Sequence, residues 1–200
     1  MKNLSITGRV LIVVSALAML SAYFFPIWQI KLWAPQYPEG LSMQIWIDHL
    51  TGDLASINKM NFYIGMAPIE EEMFPEFKYL KYIIGAIIAI GLFVGLWGKK
   101  AGALLFLLIL ILLGIGALID MYIWGYQYGH NLDPTAAIKV SDMTYQPPLI
   151  GYKQLLNFLA YSGPHVAGWV MGAVTLTVFM VVVGESKWAG KWKKKFFSRN

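Results

Sequence analysis

Four long apolar stretches constrain the fold of this chain more than any other feature of its sequence. Each has roughly the length that an α-helix needs to cross the ~30 Å hydrocarbon core of a bilayer. None has a charged residue at its centre. The pattern predicts an all-α integral membrane protein with four transmembrane helices, in which residues 1–200 form a single membrane domain. The predicted spans are about 10–27, 82–97, 101–118 and 166–183, the third being open to extension as far as Trp124.

The composition supports this class and narrows the chemistry. Hydrophobic residues make up 58% of the chain and charged residues 14%, whereas a soluble domain carries about 25% charged residues. The chain contains no cysteine, which excludes disulfides, thiolate catalysis and cysteine-ligated clusters. Its sequence has no recognisable catalytic triad, P-loop or H-E-x-x-H motif, and no histidine inside a predicted span to hold a haem. The sequence therefore predicts a protein that is not an enzyme.

Lysine and arginine are distributed unequally between the two sides of the predicted spans. Of the 16 Lys and Arg residues, ten fall with the two termini and the short turn at 98–100, and six fall in the other two segments. Positively charged residues near span ends favour the cytoplasm, so both termini are predicted to be cytoplasmic. The basic, aromatic tail 185–200 is interpreted as a segment that rests on anionic lipid headgroups rather than one that binds nucleic acid.

The first span has a competing interpretation as a secretory signal peptide. Lys2 and Arg9 precede it, and Ala16-x-Ala18 has the form of a cleavage site. The apolar run continues to Ile27, which is long for a signal core, so a retained span is favoured.

Two polar segments, 31–81 and 125–164, are predicted to be extracytoplasmic, and both are too long to be plain connectors. They are expected to pack together as a small α+β cap that carries the function. Four local predictions follow from their patterns: a strand over 41–48, where apolar and polar residues alternate; a short helix from Asp53 or Ser56 to Met60; a strand over 137–145; and an interfacial or re-entrant helix over 149–161.

All three histidines and several methionines fall on the predicted extracytoplasmic side. Imidazole and thioether suit copper, and Cu(I) in particular. Their spacing forms no metal motif, however, and scattered methionine more often fills gaps in a core. The acidic residues Glu70, Glu71, Glu72 and Glu76 are interpreted as a solvated face, and Asp120 as an interfacial acid with a local partner. The histidines and methionines in question are His49, His130, His165, Met43, Met60, Met66, Met73 and Met143.

Several short runs in the two segments are unusual enough to indicate a family. They are YPEGLSMQIWI at 37–47, NFYIGM at 61–66, GHNLDP at 129–134 and YQPPLIG at 145–151. These runs resemble those of NosB-like four-span membrane proteins, which bacteria encode beside the atypical (clade II) form of nitrous oxide reductase. The resemblance covers both segments and the order of the spans. The family often has histidine where this chain has Phe62, while His130 and Met66 occupy matching positions.

The resemblance implies a partner of a periplasmic copper enzyme in the bacterial inner membrane. Anchoring, copper loading and electron routing stay open as roles, with anchor or maturation partner favoured and copper the conceivable cofactor. Quinol between the helices has no residue that singles it out. The alternatives are a copper-binding delivery protein that uses His130 and Met66, and a structural subunit of another respiratory membrane complex. The predicted partner-docking residues are Tyr37, Trp46, Asn61, Tyr63, Gly65, Asn131, Asp133, Pro147 and Pro148.

Overall fold

The computed structural model describes residues 3–138, 144–155 and 157–186. This part of the chain is helical with a small antiparallel sheet. It divides into two compact units. The helical unit comprises residues up to 21, residues 82–114 and residues from 169 onwards, and the sheet unit comprises residues 22–81 and 115–168. The basic tail from Lys187 and the predicted ligand Met143 lie outside the described residues.

Four helices are long and apolar enough to span a membrane: Ile6–Tyr23, Leu80–Trp97, Lys100–His130 and Val166–Gly184. The first consists of α1 (Ile6–Ala18) and a 3-10 segment (Met19–Tyr23), and the others are α3, α4 and α5. In each helix, at most 33% of the most apolar 18-residue stretch is buried. An apolar helix that leaves most of its surface uncovered matches a lipid environment, so the structure suggests a membrane protein.

The helix ends differ from the predicted span ends at two places. The first helix stops at Tyr23 rather than near residue 27, because Pro26 cannot continue it. The third continues well past residue 118 to His130. The residues between Asp120 and His130 are aromatic and polar but include no proline, so hydropathy falls while helix geometry persists. Hydropathy therefore marks the apolar part of α4 and not its end.

Small residues and caps organise the helical unit. A Cβ on Gly91 would lie 2.8 Å from Cβ of Ala16, so α1 and α3 approach closely where glycine is present. At the end of α3, Arg9 donates from Nε to the carbonyl of Gly95 at 3.0 Å and from Nη2 to that of Leu96 at 2.6 Å. These bonds satisfy carbonyls that a helix end leaves free. The Gly91 and Gly95 spacing thus serves packing within one chain.

Glu185 links three helices of this unit. Its Oε1 accepts from the backbone N–H of Ser5 at 2.9 Å, and its Oε2 pairs with Nζ of Lys100 at 2.9 Å. Ser5 in turn caps α1 by accepting from the N–H of Gly8 at 3.1 Å. The hydrogen bonds from Ser5 and then from Lys100 lower the pKa of Glu185 to about 2. Glu185 is the single acidic residue that the sequence places with the basic side of the chain.

Glu185 should therefore stabilise the fold in a pH-dependent way. A carboxyl whose pKa is lower in the folded state stabilises above its unfolded pKa of about 4.5, and that contribution disappears as pH falls towards about 2. We expect Glu185→Gln to cost about 1 kcal/mol at pH 7, given the partial exposure of the pair. The difference from the unmodified protein should shrink between pH 5 and pH 3 in thermal unfolding in detergent. The exposed Glu72 provides the matched control, and Glu72→Gln should show neither effect.

The sheet unit is built on five antiparallel strands: β1 (Trp28–Ala34), β2 (Tyr37–Ile45), β3 (Leu50–Gly52), β4 (Gly151–Leu155) and β5 (Phe158–Pro164). Their order in the sheet is β3-β2-β1-β5-β4. Central strand β1 pairs with β2 along Trp28↔Ile45 to Ala34↔Tyr37 and with β5 along Trp28↔Pro164 to Trp33↔Leu159. The predicted strand over 41–48 overlaps β2 at residues 41–45, where Leu41, Met43 and Ile45 face the core as the alternation predicts. The strand begins earlier, at Tyr37, and does not include residues 46–48.

The prediction of a helix over 149–161 is wrong, because this stretch forms the β4–β5 hairpin. Gly151 has a positive φ of 96° at its start, and aromatic residues such as Tyr152 and Tyr161 suit a pleated surface. The predicted strand over 137–145 falls mainly on residues outside the described part. Helix α2 (Leu54–Ile64) begins after Asp53 as predicted, but it runs past Met60 and ends at Gly65.

Candidate functional site

Gly65 and Asp133 join the two segments that the sequence marks as functional. The N–H of Asp133 donates to the carbonyl of Gly65 at 2.7 Å, and the N–H of Ile138 donates to that of Tyr63 at 2.9 Å. Gly65 ends α2 with a φ of 77°, and a Cβ there would lie 2.9 Å from the carbonyl oxygen of Asp133. Glycine is therefore required both by the left-handed turn and by the close approach.

The Asp133 turn is held by its own side chain. Oδ1 of Asp133 accepts from the backbone N–H of Thr135 at 2.7 Å and from its hydroxyl at 2.7 Å. This is the local side-chain-to-backbone bonding that favours aspartate in turns. Asn131, two residues earlier, is exposed and donates its N–H to the carbonyl of Gln127. The turn thus presents polar groups on a fixed backbone.

Two open grooves flank the exposed ring of Phe62. The Tyr37 groove is lined by Tyr37, Lys59, Phe62, Tyr63 and Ile138 among others, and the Asp133 groove by Phe62, Gly65, Asn131, Asp133 and Thr135 among others. Each has a volume of about 740 Å³. Phe62 is 76% exposed and Tyr63 56% exposed, and their rings meet edge to face at 5.9 Å. We call Tyr37, Phe62, Tyr63, Asn131 and Asp133 the docking face.

Five of the predicted docking residues therefore line these two grooves. Tyr37 and Tyr63 border the first, and Gly65, Asn131 and Asp133 border the second. They come from segments separated by more than sixty positions along the chain. Phe62 was not among the predicted docking residues, yet it borders both grooves. The one sequence signal for its exposure was a large apolar residue in a polar segment.

The other four predicted docking residues lie elsewhere. Asn61 is 5% exposed, and its Nδ2 donates to the hydroxyl of Tyr128, so its assignment to a docking surface is corrected to a core role. Pro147 lines an internal cavity and Pro148 a smaller recess beside it. Trp46 lies beyond the end of β2, where Nε1 donates to the hydroxyl of Thr51 at 2.8 Å. Sequence reasoning missed Tyr128 because its partner is 67 positions away.

The structure does not place the two predicted copper ligands on one cavity. Nδ1 of His130 lies 2.8 Å from the carbonyl of Tyr126, on whose ring it stacks at 4.0 Å. Met66 is buried and lines the internal cavity, whose lining does not include His130. His49 pairs with Asp48 at 2.7 Å and stacks on Trp46. Within residues 3–138, 144–155 and 157–186, no group of three or more His, Asp and Glu side chains is placed to hold a metal.

The acidic run is exposed at three of its four positions. Oε1 of Glu71 accepts from the N–H of Leu50 at 3.0 Å and so ties the run to β3. Burial raises the pKa of Glu76, and the charge of Asp120 raises it further. Glu70, Glu71 and Glu72 are exposed, as the interpretation of a solvated face predicts, whereas Glu76 is half-buried.

No protein-family model, curated protein or solved structure matches this chain.

Proposed function

We propose that this chain is a non-catalytic membrane anchor or maturation partner that docks a periplasmic enzyme through the docking face. The partner implied by the resemblance is a copper enzyme, nitrous oxide reductase. In this proposal the four long helices cross the bacterial inner membrane, both termini are cytoplasmic and the sheet unit is the extracytoplasmic cap. The observation that carries the proposal is the exposure of Phe62 and Tyr63 between two grooves.

The chemistry of the docking face resembles that of a protein interface. Aromatic side chains dominate binding energy at interfaces because they bury a large rigid area at a small entropy cost. Here two exposed rings at the end of α2 are bordered by polar groups, among them Lys59, Asn131 and Asp133. An apolar centre with a polar rim is the usual anatomy of such surfaces. The backbone bonds between Gly65 and Asp133 hold both sides of the face in place before binding.

Removing the two rings should abolish stable docking. We expect the double substitution Phe62→Ala and Tyr63→Ala to lower the yield of co-purified partner at least about tenfold, since hot-spot aromatics contribute about 2 kcal/mol or more each. Because both rings are largely exposed, the fold should lose little stability. The measurement is a gentle-detergent pull-down of the tagged protein, with quantitative mass spectrometry and metal analysis on one eluate.

The matched control is Tyr79→Ala, which removes a tyrosine that is 64% exposed and borders neither groove. It should leave the yield of partner unchanged. An undiminished yield in the Phe62 and Tyr63 variant would refute the docking face, and recovery of a different respiratory complex would favour the structural-subunit alternative. Gly65 is unsuitable for this test, because its positive φ makes any substitution disturb the fold.

Metal analysis of the same eluate tests the alternative that this chain itself binds and delivers copper. Stoichiometric copper on the chain, lost in His130→Ala or Met66→Leu, would favour delivery by this protein itself. Copper that follows the partner and disappears with it in the docking variant supports the anchor or maturation role.

A further inference from the structure

The sheet unit contains a partly open, mostly apolar pocket, here called the inner cavity, whose lining includes no residue of the docking face. Its volume is about 60 Å³ when measured as the space open to the centre of a water-sized sphere. Side chains of β1, β2 and α2 form much of the wall, including Ile30, Met43 and Ile57. Trp124 and Tyr128 of α4 and Tyr145 also line it. On this measure a single water needs about 10–15 Å³, so the inner cavity has room for a molecule of roughly five to ten non-hydrogen atoms.

Two side chains that line the inner cavity carry buried polar atoms without a hydrogen-bond partner. They are the hydroxyl of Tyr145, a residue that is 4% exposed, and Nε1 of Trp124. Buried polar groups are almost always paired, and an unpaired one costs free energy. The hydroxyl of Tyr128 on the same wall is already paired with Asn61. Tyr145 and Trp124 can both donate, so the unmet requirement is for an acceptor.

Water satisfies at most part of this need for hydrogen-bond acceptors. A neighbouring recess of about 10 Å³, bordered by Trp124, Gln146 and Ser162, has room for one water. Trp124 borders both spaces, whereas Tyr145 borders the inner cavity and not the recess. The rest of the inner cavity is lined almost wholly by aliphatic, methionine and aromatic side chains. Apolar space of this kind favours an apolar guest over several waters.

The lining also determines the charge of the guest. None of the described residues that border the inner cavity is an acid, a lysine, an arginine or a histidine. A charged molecule would lose its hydration there without a compensating partner. The guest must therefore be neutral, with an apolar body and an acceptor atom.

We propose that the inner cavity is a binding site for a neutral, mostly apolar molecule of about one ring that carries a carbonyl-type oxygen, which accepts a hydrogen bond from the hydroxyl of Tyr145. Recognition combines burial of the ring against Met43, Ile57 and Met66 with pairing of the Tyr145 hydroxyl.

Two isosteric compounds test the proposal on the detergent-purified full chain. Acetophenone carries a carbonyl oxygen, and α-methylstyrene replaces that oxygen by a CH₂ group of similar size. Equilibrium dialysis with equal detergent on both sides cancels partition into micelles. We expect acetophenone to bind with a Kd about tenfold lower than that of α-methylstyrene, because the second compound leaves the hydroxyl unpaired.

Tyr145→Phe should abolish this difference while keeping binding of both compounds. Because the lost hydroxyl has no partner in the empty cavity, this variant should unfold at the same temperature as the unmodified protein or a higher one. Tyr152→Phe removes a hydroxyl from an exposed tyrosine on β4 that does not line the cavity, and it should keep the tenfold preference.

Four results would overturn the proposal. Equal binding of the two compounds to the unmodified protein would reduce the cavity to an apolar void. A lack of saturable binding of either would leave it a hydrated one. A preference that survives in Tyr145→Phe would remove the assigned donor. Displacement of acetophenone by one equivalent of Cu(I) would assign the cavity to its methionine thioethers instead.

Discussion

Gly129→Ala should be among the most destabilising single substitutions in this protein. Gly129 lies near the end of α4, and a Cβ there would stand 2.3 Å from the backbone nitrogen of Gln146 and 2.4 Å from its Cα. Backbone atoms cannot rotate aside as a side chain can, so the segment around Gln146 must move. That segment is fixed to α4 by a hydrogen bond from the N–H of Tyr145 to the carbonyl of Gly129 at 3.0 Å. We expect a loss of about 2–4 kcal/mol in the free energy of unfolding.

Gly125→Ala, one turn earlier on the same helix, is the matched control. A Cβ at Gly125 would meet its nearest neighbour, Cγ of Pro147, at an ordinary 3.8 Å. Alanine is the better helix former by about 0.5–1 kcal/mol, so this variant should be neutral or stabilised. Thermal unfolding followed by tryptophan fluorescence in detergent compares the two. Equal destabilisation of both would mean that glycine is needed here for helix flexibility and not for close approach to Gln146.

The long helices could be predicted from sequence because each prediction averages hydropathy over many residues. A window of about 18 positions is insensitive to any one side chain, and no tertiary contact is needed to interpret it. Strand β2 was predicted for a related reason, since Leu41, Met43 and Ile45 alternate within one short stretch. The local pattern is sufficient to predict an element when its own residues determine which of its sides is buried.

Strands β1, β4 and β5 could not be predicted in that way. Trp28 pairs with Ile45 on one side and with Pro164 on the other, and its Nε1 donates to the hydroxyl of Ser162 at 2.8 Å. Two of these partners lie more than 130 positions away. The strand β5 is paired with the central strand β1 and with β4, and an apolar run interpreted by itself does not reveal the pairing with β1. Non-local pairing outweighs local propensity here.

The prediction of docking residues was limited by the same lack of information about tertiary partners. Tyr63 and Asp133 were selected as members of the short runs that carry the family resemblance, and both are exposed beside the grooves. Asn61 belongs to the same run, but it faces inwards on α2 and pairs with Tyr128. A polar residue on an amphipathic helix can be a surface group or a satisfied core group. Deciding between the two requires the partner, which the sequence does not place.

Asn58→Ala should also destabilise the sheet unit strongly, through backbone groups that no other side chain is shown to serve. Oδ1 of Asn58 accepts from the N–H of Ile69 at 2.8 Å, and Nδ2 donates to the carbonyl of Ile69 at 3.1 Å. This pair of bonds holds the stretch after Gly65 against α2. Ile69 is 5% exposed, so its N–H and C=O would be left without compensation. Each unpaired group costs about 1–3 kcal/mol, and we expect a total loss of about 2–3 kcal/mol.

Two further variants distinguish loss of the Asn58–Ile69 hydrogen bonds from a change in helix propensity. Lys59→Ala changes an exposed neighbour on α2 and should alter stability by less than about 0.5 kcal/mol. Asn58→Asp keeps an acceptor for the N–H of Ile69 and loses the donor, so its unfolding temperature should fall between those of the alanine variant and the unmodified protein. Because Met66 and Ile69 both border the inner cavity, Asn58→Ala should also weaken acetophenone binding. A stable Asn58→Ala protein with unchanged acetophenone binding would show that packing of Ile69, and not its hydrogen bonds with Asn58, holds this wall of the inner cavity.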